Sequence, residues 1–322
     1  MTDTTSPAAP SGPAATGTAA SATSADDATR ASGAHGSDLR RVTVLGTGVL
    51  GAQIAFQAAY SGSTVTAYDV SDEALEAGRA RFTGLAATYL TPQGLRGATE
   101  EATQEALGRL SYSSDLAEAV ADADLVIEAV PEHLGLKRDL YSRLAPLLPE
   151  RTVLATNSST LLPSALADAT GRPDRFLALH FANLIWINNT AEVMGTTETS
   201  PEVYERVVEF ARGMGMVPIE LKKEQPGYVL NSLLVPLLNA ASALLVKGVA
   251  EPETVDTTWR IGTGAPFGPF QIMDVIGLRT VHAVSVAGGP EGEAFAEIIQ
   301  RDYLDHGKTG RESGAGFYTY AE

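Results

Sequence analysis

The run RVTVL at 41–45 is short, apolar and rich in β-branched residues, which predicts a buried strand. A glycine-rich turn follows at 46–51, and 52–60 continue with helical spacing. A second apolar run at 64–68, closed by Asp69, completes a strand–helix–strand unit of ordinary length. Residues 72–109 read as helical, with a break at 91–94. LVIEA at 125–129 predicts a strand, and 137–147 a helix. VLAT at 153–156 predicts a strand ending at Asn157, Ser158 and Ser159, and FLAL at 176–179 another ending at His180. EVMG at 192–195 resists assignment; the sheet is expected to finish in this region, after a helix over 201–213.

Beyond Gln225 the strand signals stop and long helical patterns take over, with Pro226-Gly227 as the boundary. GKTGRESGAGFYTY at 307–320 predicts a glycine-rich turn and an aromatic packing segment. Strands alternating with helices imply a mostly parallel sheet covered on both faces. The expected fold class is therefore α/β, with a smaller all-helical domain after the sheet. The expected division is a tail over 1–38, a sheet domain over 39–224 and a helical domain over 225–322.

Composition narrows the function. A chain of 322 residues that is 44% hydrophobic has material for two domains. It carries 39 acidic against 23 basic side chains, a formal charge of -16, which repels a polyanion and argues against a nucleic-acid partner. Cysteine is absent, so disulfides and thiolate catalysis are excluded, and a cytoplasmic location is expected. The longest apolar stretch, 228–249, is interrupted by Asn231, Pro236, Asn239 and Lys247, so no membrane span is expected. The first 38 residues are rich in Ala, Ser, Thr, Gly and Pro with almost no large apolar side chain, which predicts disorder, and they lack the apolar segment of a signal peptide.

The candidate chemistry begins at Gly46-x-Gly48-x-x-Gly51. The first glycine permits the turn, the second lets a pyrophosphate approach the backbone, and the third lets helix and strand close together. The helix start, with Val49 and Leu50, then presents unpaired N–H groups to phosphates. Asp69 can accept hydrogen bonds from an adenosine ribose and would repel a 2′-phosphate, which favours NAD over NADP. The alternative is an Asp that caps the helix starting near Ser71.

Ligands of such sheets bind outside the carboxyl ends of the strands. Glu132, Asn157, Ser158, Ser159 and His180 all follow strands and are expected to share that edge. An imidazole exchanges protons near neutrality, and a carboxylate beside it fixes its tautomer. Glu192 is the candidate partner, with residues 187–190 turning the chain back; a structural histidine is the alternative. His133 and His180 lack a metal-binding spacing, and no metal is expected. His282, His306, Lys222, Lys223 and Lys308 read as solvated positions, and GKTG at 307–310 lacks the strand of a phosphate loop.

With these residues in hand, the chain resembles the 3-hydroxyacyl-CoA dehydrogenase family, in its short single-function form that includes 3-hydroxybutyryl-CoA dehydrogenases. GTGVLGAQIA, VIEAVPE, TNSST, the HF-x-N start at His180, AEVM, PGYVLNSLLVPLLNAA, GTGAPFGPFQIMDVIGL and ESGAGFYTY carry the likeness, in that order. The resemblance implies an NAD-binding Rossmann domain and a helical domain that carries a homodimer contact. It implies oxidation of an L-3-hydroxyacyl-CoA, or the reverse reduction, with His180 as proton acceptor and donor and Glu192 orienting it. It places Ser159 and Asn231 at the substrate and Glu132, Lys137 and Asn183 near the cofactor, where Asn157 is expected too. The chain departs from the family after His180, where it reads Phe181, Ala182, Asn183, Leu184 and then IWINNT. That departure leaves open a free hydroxy acid or a carrier-protein-linked group as substrate. An inactive NAD-binding sensor is the alternative of another class.

Overall fold

The computed structural model describes residues 37–320. Of the expected tail, residues 1–36 lie outside the described residues, as does the reading that no signal segment is present. Ser37 is buried and Asp38 pairs with Arg206.

Among the described residues, eight strands form one sheet: β1 (Arg41–Leu45), β2 (Thr64–Tyr68), β3 (Leu110–Ser113), β4 (Leu125–Glu128), β5 (Val153–Thr156), β6 (Phe176–Phe181), β7 (Thr190–Gly195) and β8 (Val217–Leu221). Their order is β3-β2-β1-β4-β5-β6-β7-β8, parallel except where β6 meets β7. β4, β5 and β6 are buried at every position, the pattern of strands covered on both faces. The helices of this half are α1 (Val49–Tyr60), α2 (Asp72–Tyr89), α3 (Glu100–Gly108), α4 (Leu116–Val120), α5 (Leu134–Leu144), α6 (Ser164–Ala167) and α7 (Pro201–Gly213). One face packs Ala52, Phe56, Phe82 and Phe210 into a core with β1, and the other packs Leu116, Tyr141, Leu144 and Leu166.

The smaller helical half holds α8 (Leu230–Val246), α9 (Pro252–Thr263), α10 (Pro269–Ile276), α11 (Leu278–Val286) and α12 (Gly289–Asp302). Its core gathers Phe270, Met273, Leu278, Phe295 and Ile299, and the Phe317 ring lies 4.8 Å from that of Phe270. Asp274 locks the C-terminal segment by accepting Phe317 N–H, Tyr318 N–H and the Tyr320 hydroxyl. The aromatic packing segment is thus present as expected.

The expected elements need four corrections. β3 lies where helix was expected to run out, because LSYS is an edge strand with only Ser113 buried. β8 contains Pro218, which an edge strand tolerates and which hides the strand in the sequence. α5 starts earlier than 137 because the His133 ring nitrogen accepts Leu136 N–H and caps it. β6 runs to Phe181, so His180 lies inside a strand rather than beyond its end. β7 pairs antiparallel with β6 and sets His180 directly against Glu192.

At the opposite edge of the sheet, Asp124 accepts Arg41 N–H, the Arg41 guanidinium and Arg151 Nε. Burial acts to raise this carboxyl, but the Arg41 and Arg151 hydrogen bonds outweigh it and hold it at about 2. The unfolded carboxylate, near the usual value, takes up its proton first, so this stabilisation is complete above about pH 4. It is lost as pH falls from there towards 2. Thermal melts across that range should show a steep decline in the wild type and a shallower one in Asp124→Asn. Equal slopes would show that the Arg41–Asp124–Arg151 cluster does not anchor β1, β4 and β5.

Candidate active site

The β1–α1 turn is shaped by steric necessity. Gly46 has φ +101°, and a Cβ there would lie 2.8 Å from the Ala129 carbonyl oxygen. A Cβ on Gly51 would lie 2.0 Å from the Gly46 carbonyl oxygen, so this contact admits only glycine. Nothing stands within 4 Å of the Cβ position of Gly48, which leaves its backbone open to an approaching group. Gly48 caps α1 without a side chain, and the first turn carries no acidic residue. The first-turn N–H groups of Val49, Leu50 and Gly51 therefore face a space suited to an anion. The pyrophosphate of NAD fits this chemistry, and the phosphates need no cationic side chain here.

Asp69 follows β2 and is fixed by its neighbours. Its Oδ2 accepts Thr47 N–H at 2.8 Å and the Thr47 hydroxyl at 2.6 Å, and its Oδ1 accepts Val70 N–H at 2.8 Å. Asp69 does not cap α2; the Ser71 hydroxyl does, accepting Ala74 N–H. Thr47 was not marked as a site residue in the sequence, since only the glycines flanking it carry a recognisable spacing.

The strand ends do converge. Glu128, at the end of β4, is wholly buried and accepts from Lys137 Nζ at 2.6 Å, Thr156 Oγ1 at 2.8 Å, Val130 N–H and the Tyr141 hydroxyl. Burial pushes the Tyr141 phenol well up, so it stays a neutral donor. Glu132 accepts the Ser158 hydroxyl at 2.5 Å and both the N–H and hydroxyl of Thr160 at 2.8 Å. Burial acts to raise Glu132, but these bonds and the Lys137 charge bring it down to about 2. Lys137 is 1% exposed and lies between Glu128 and Glu132, 3.3 Å from the latter. In this structure Glu132 and Lys137 brace the 156–160 turn. Glu128 was missed in the sequence because it sits inside an apolar run.

His180 is the centre of the arrangement. Its Nδ1 lies 2.9 Å from Glu192 Oε2 and its Nε2 lies 3.1 Å from Ser159 Oγ. Glu192 Oε1 accepts Val229 N–H and Leu230 N–H, both at 2.9 Å. Burial acts to raise Glu192, but the His180 bond, the two N–H groups and the imidazole's charge outweigh it and hold the carboxyl below its usual range. A carboxylate only accepts, so Nδ1 carries the hydrogen, and in the neutral ring Nε2 then keeps its lone pair towards Ser159. Tyr228, not marked in the sequence, stacks on the imidazole with ring centroids 4.4 Å apart. Asn157 Oδ1 accepts Phe181 N–H at 2.9 Å and ties β5 to the end of β6.

Asn231 and Ser159 line a cavity of about 660 Å³ between the halves. Val235, Leu238, Met273 and Val284 continue it along α8, α10 and α11, and among the described residues no charged side chain lines it. Asn183 is exposed on the loop after β6, and its carbonyl accepts the Asn188 amide. That loop is held to α1 by Gln53, whose Oε1 accepts Leu184 N–H at 2.8 Å.

Two family profiles match the chain: "3-hydroxyacyl-CoA dehydrogenase, NAD binding domain" over residues 41–225 and "3-hydroxyacyl-CoA dehydrogenase, C-terminal domain" over 227–320. The human mitochondrial hydroxyacyl-coenzyme A dehydrogenase is 35% identical over 290 residues, 88% of this chain and 91% of its own. A probable 3-hydroxybutyryl-CoA dehydrogenase of Bacillus subtilis is 35% identical over 288 residues, 88% of this chain and 99% of its own. A solved diketoreductase, described as performing substrate-directed dual catalysis of dicarbonyl compounds, is 62% identical with a TM-score of 0.85, covering 88% of this chain and 99% of that one. The expected cytoplasmic location is overturned by the human, mouse, rat and pig relatives, which are mitochondrial by name. A chain without cysteine folds alike in reducing and oxidising compartments, so its composition never carried that inference. With both halves matched, an NAD-binding domain in place and a His–Glu pair at its edge, the chain belongs to the 3-hydroxyacyl-CoA dehydrogenase family and is an NAD-linked oxidoreductase of that type.

Proposed function

We propose that the enzyme interconverts an L-3-hydroxyacyl-CoA and its 3-ketoacyl-CoA, with His180 moving the hydroxyl proton. The observation that carries this is the position of His180 between Glu192 on Nδ1 and Ser159 on Nε2. Bound in the sheet half, the oxidised cofactor would supply the acceptor, and the reduced cofactor the donor, for the hydride at the substrate's C3. In oxidation, neutral His180 takes the hydroxyl proton on Nε2. Glu192 offsets the positive charge that then develops, and the two N–H groups at the start of α8 keep Glu192 anionic in a buried place. Ser159 and Asn231 hold the substrate oxygen where charge changes. In reduction, imidazolium His180 returns the proton. The acyl chain occupies the cavity beyond Asn231, whose uncharged lining suits it. Gly46, Gly48, Val49, Leu50 and Gly51 receive the pyrophosphate and Asp69 the ribose, with Glu132, Lys137, Asn157 and Asn183 towards the nicotinamide side.

The helical half, proposed as residues 225–322 against a sheet half of 39–224, also carries the homodimer contact in this reading. In support, α8 is apolar yet leaves Leu233 70% exposed, and Ile261 on α9 is 80% exposed. A second reading replaces the CoA thioester with an uncharged dicarbonyl compound. It is favoured by the uncharged cavity and by the 62% identity to the diketoreductase. An inert NAD sensor would have no use for the assembled dyad.

His180→Gln should cut turnover at least ~100-fold while NADH binding is largely kept. Following NADH absorbance with acetoacetyl-CoA, a free dicarbonyl ester, a carrier-linked acyl group and free hydroxy acids decides the substrate. Full activity in His180→Gln on every active substrate would remove His180 from the mechanism, and a wild type silent on all thioesters would remove CoA. Asp69→Ala should weaken NADH more than NADPH in fluorescence titrations. Equal losses would show that Asp69 only holds Thr47 and does not read the ribose.

A further inference from the structure

We propose that Tyr228 is a positioning residue of the acid–base centre, whose ring, aimed by a left-handed turn at the joint between the halves, stacks on the His180 imidazole and favours its protonated form. The proposal rests on the reading that His180 moves the proton.

The turn is unusual in its backbone. Gly227 has φ +78° and Tyr228 has φ +55°, a region that a side chain as large as tyrosine rarely enters. The conformation is sustained by what the side chain reaches. The ring is 1% exposed and lies nearly parallel to the imidazole, at 12° with centroids 4.4 Å apart. Its hydroxyl donates to the Ser158 carbonyl at 2.7 Å, and burial pushes the phenol up, so it remains a donor. Ser158 precedes Ser159, whose hydroxyl faces His180 Nε2. The residues just after the turn, Val229 and Leu230, send their N–H groups to Glu192. One short segment therefore governs the imidazole's face, its Nδ1 partner and the turn behind its Nε2 partner.

An aromatic face attracts a cation, so the stack stabilises imidazolium over neutral imidazole. The ionisable groups around the ring are Glu192 from β7 and Tyr228 itself. Behind Ser158 stand Glu132 and Glu128, with Lys137 between them. The Tyr228 phenol is uncharged, so replacing it leaves the charges of Glu192, Glu132, Glu128 and Lys137 present, and a change in the pH response reports the stack. A residue that merely fills the joint would alter stability or rate without moving that response.

The test compares kcat/KM against pH, in both directions, for wild type, Tyr228→Phe, Tyr228→Leu and Tyr228→Gly, with NADH binding as the check on folding. Phe keeps the stack and should keep the pH limb. Leu and Gly should move the limb down by about half a pH unit, so oxidation survives to lower pH and reduction is lost earlier as pH rises. They should also lower kcat at least ~10-fold. Glycine suits this backbone and decides the matter where leucine fails to fold. An unmoved limb in the folded Leu or Gly variant overturns the proposal. Full activity in a parallel His180→Gln sample would instead overturn the acid–base reading beneath it.

Discussion

The Glu192 carboxylate is shared between two parts of the chain. One oxygen accepts from His180 Nδ1, across the antiparallel β6–β7 pair, and the other accepts two N–H groups where α8 begins. Glu192 is 3% exposed, and a charge so buried persists only when hydrogen-bonded and offset. His180 and the positive end of the α8 backbone supply that offset. Removing Glu192 would strand an imidazole N–H and two backbone donors together. The interaction thus joins the sheet half to the helical half and gives the imidazole its direction.

A second set of carboxylates stands behind the first and serves the serine turn. Glu128 gathers Lys137, Thr156 and Tyr141, and Glu132 gathers Ser158 and Thr160. Lys137 neutralises both acids at close range, which is what permits them in a protein of formal charge -16. The cofactor's phosphates face the same overall acidity. In the proposed reading, backbone N–H groups around Gly48 would answer it locally, because distance and screening weaken the remote carboxylates.

Much of this was legible in the sequence because it follows from local rules. The strand–glycine turn–helix unit needs glycine at 46 and 51 for steric reasons, and the strand-end placement of Ser159 follows from topology. The pairing of His180 with Glu192 depended on a hairpin whose second strand shows no clear period, yet the register sets them opposite. β3 and β8 were hidden because edge strands can be polar or contain proline. Glu128 was hidden inside an apolar run, and so was its ion pair with Lys137. Tyr228 was read only as part of the apolar stretch 228–249 and of the PGYVLNSLLVPLLNAA run, since neither its left-handed backbone nor its stack on His180 has a sequence signature. Location was misread because missing cysteines report chemistry that is absent, not the compartment.

The central claim concerns which ring nitrogen of His180 carries the hydrogen. Nitrogen NMR of enzyme labelled at its histidines, with the His180 resonances assigned by loss in His180→Gln, reads this directly at a pH where the ring is neutral. The account predicts a protonated Nδ1, facing Glu192, and an unprotonated Nε2 open to the substrate side. A neutral His180 with its hydrogen on Nε2 would contradict it, since Glu192 would then not be fixing the ring and Nε2 could not accept the proton.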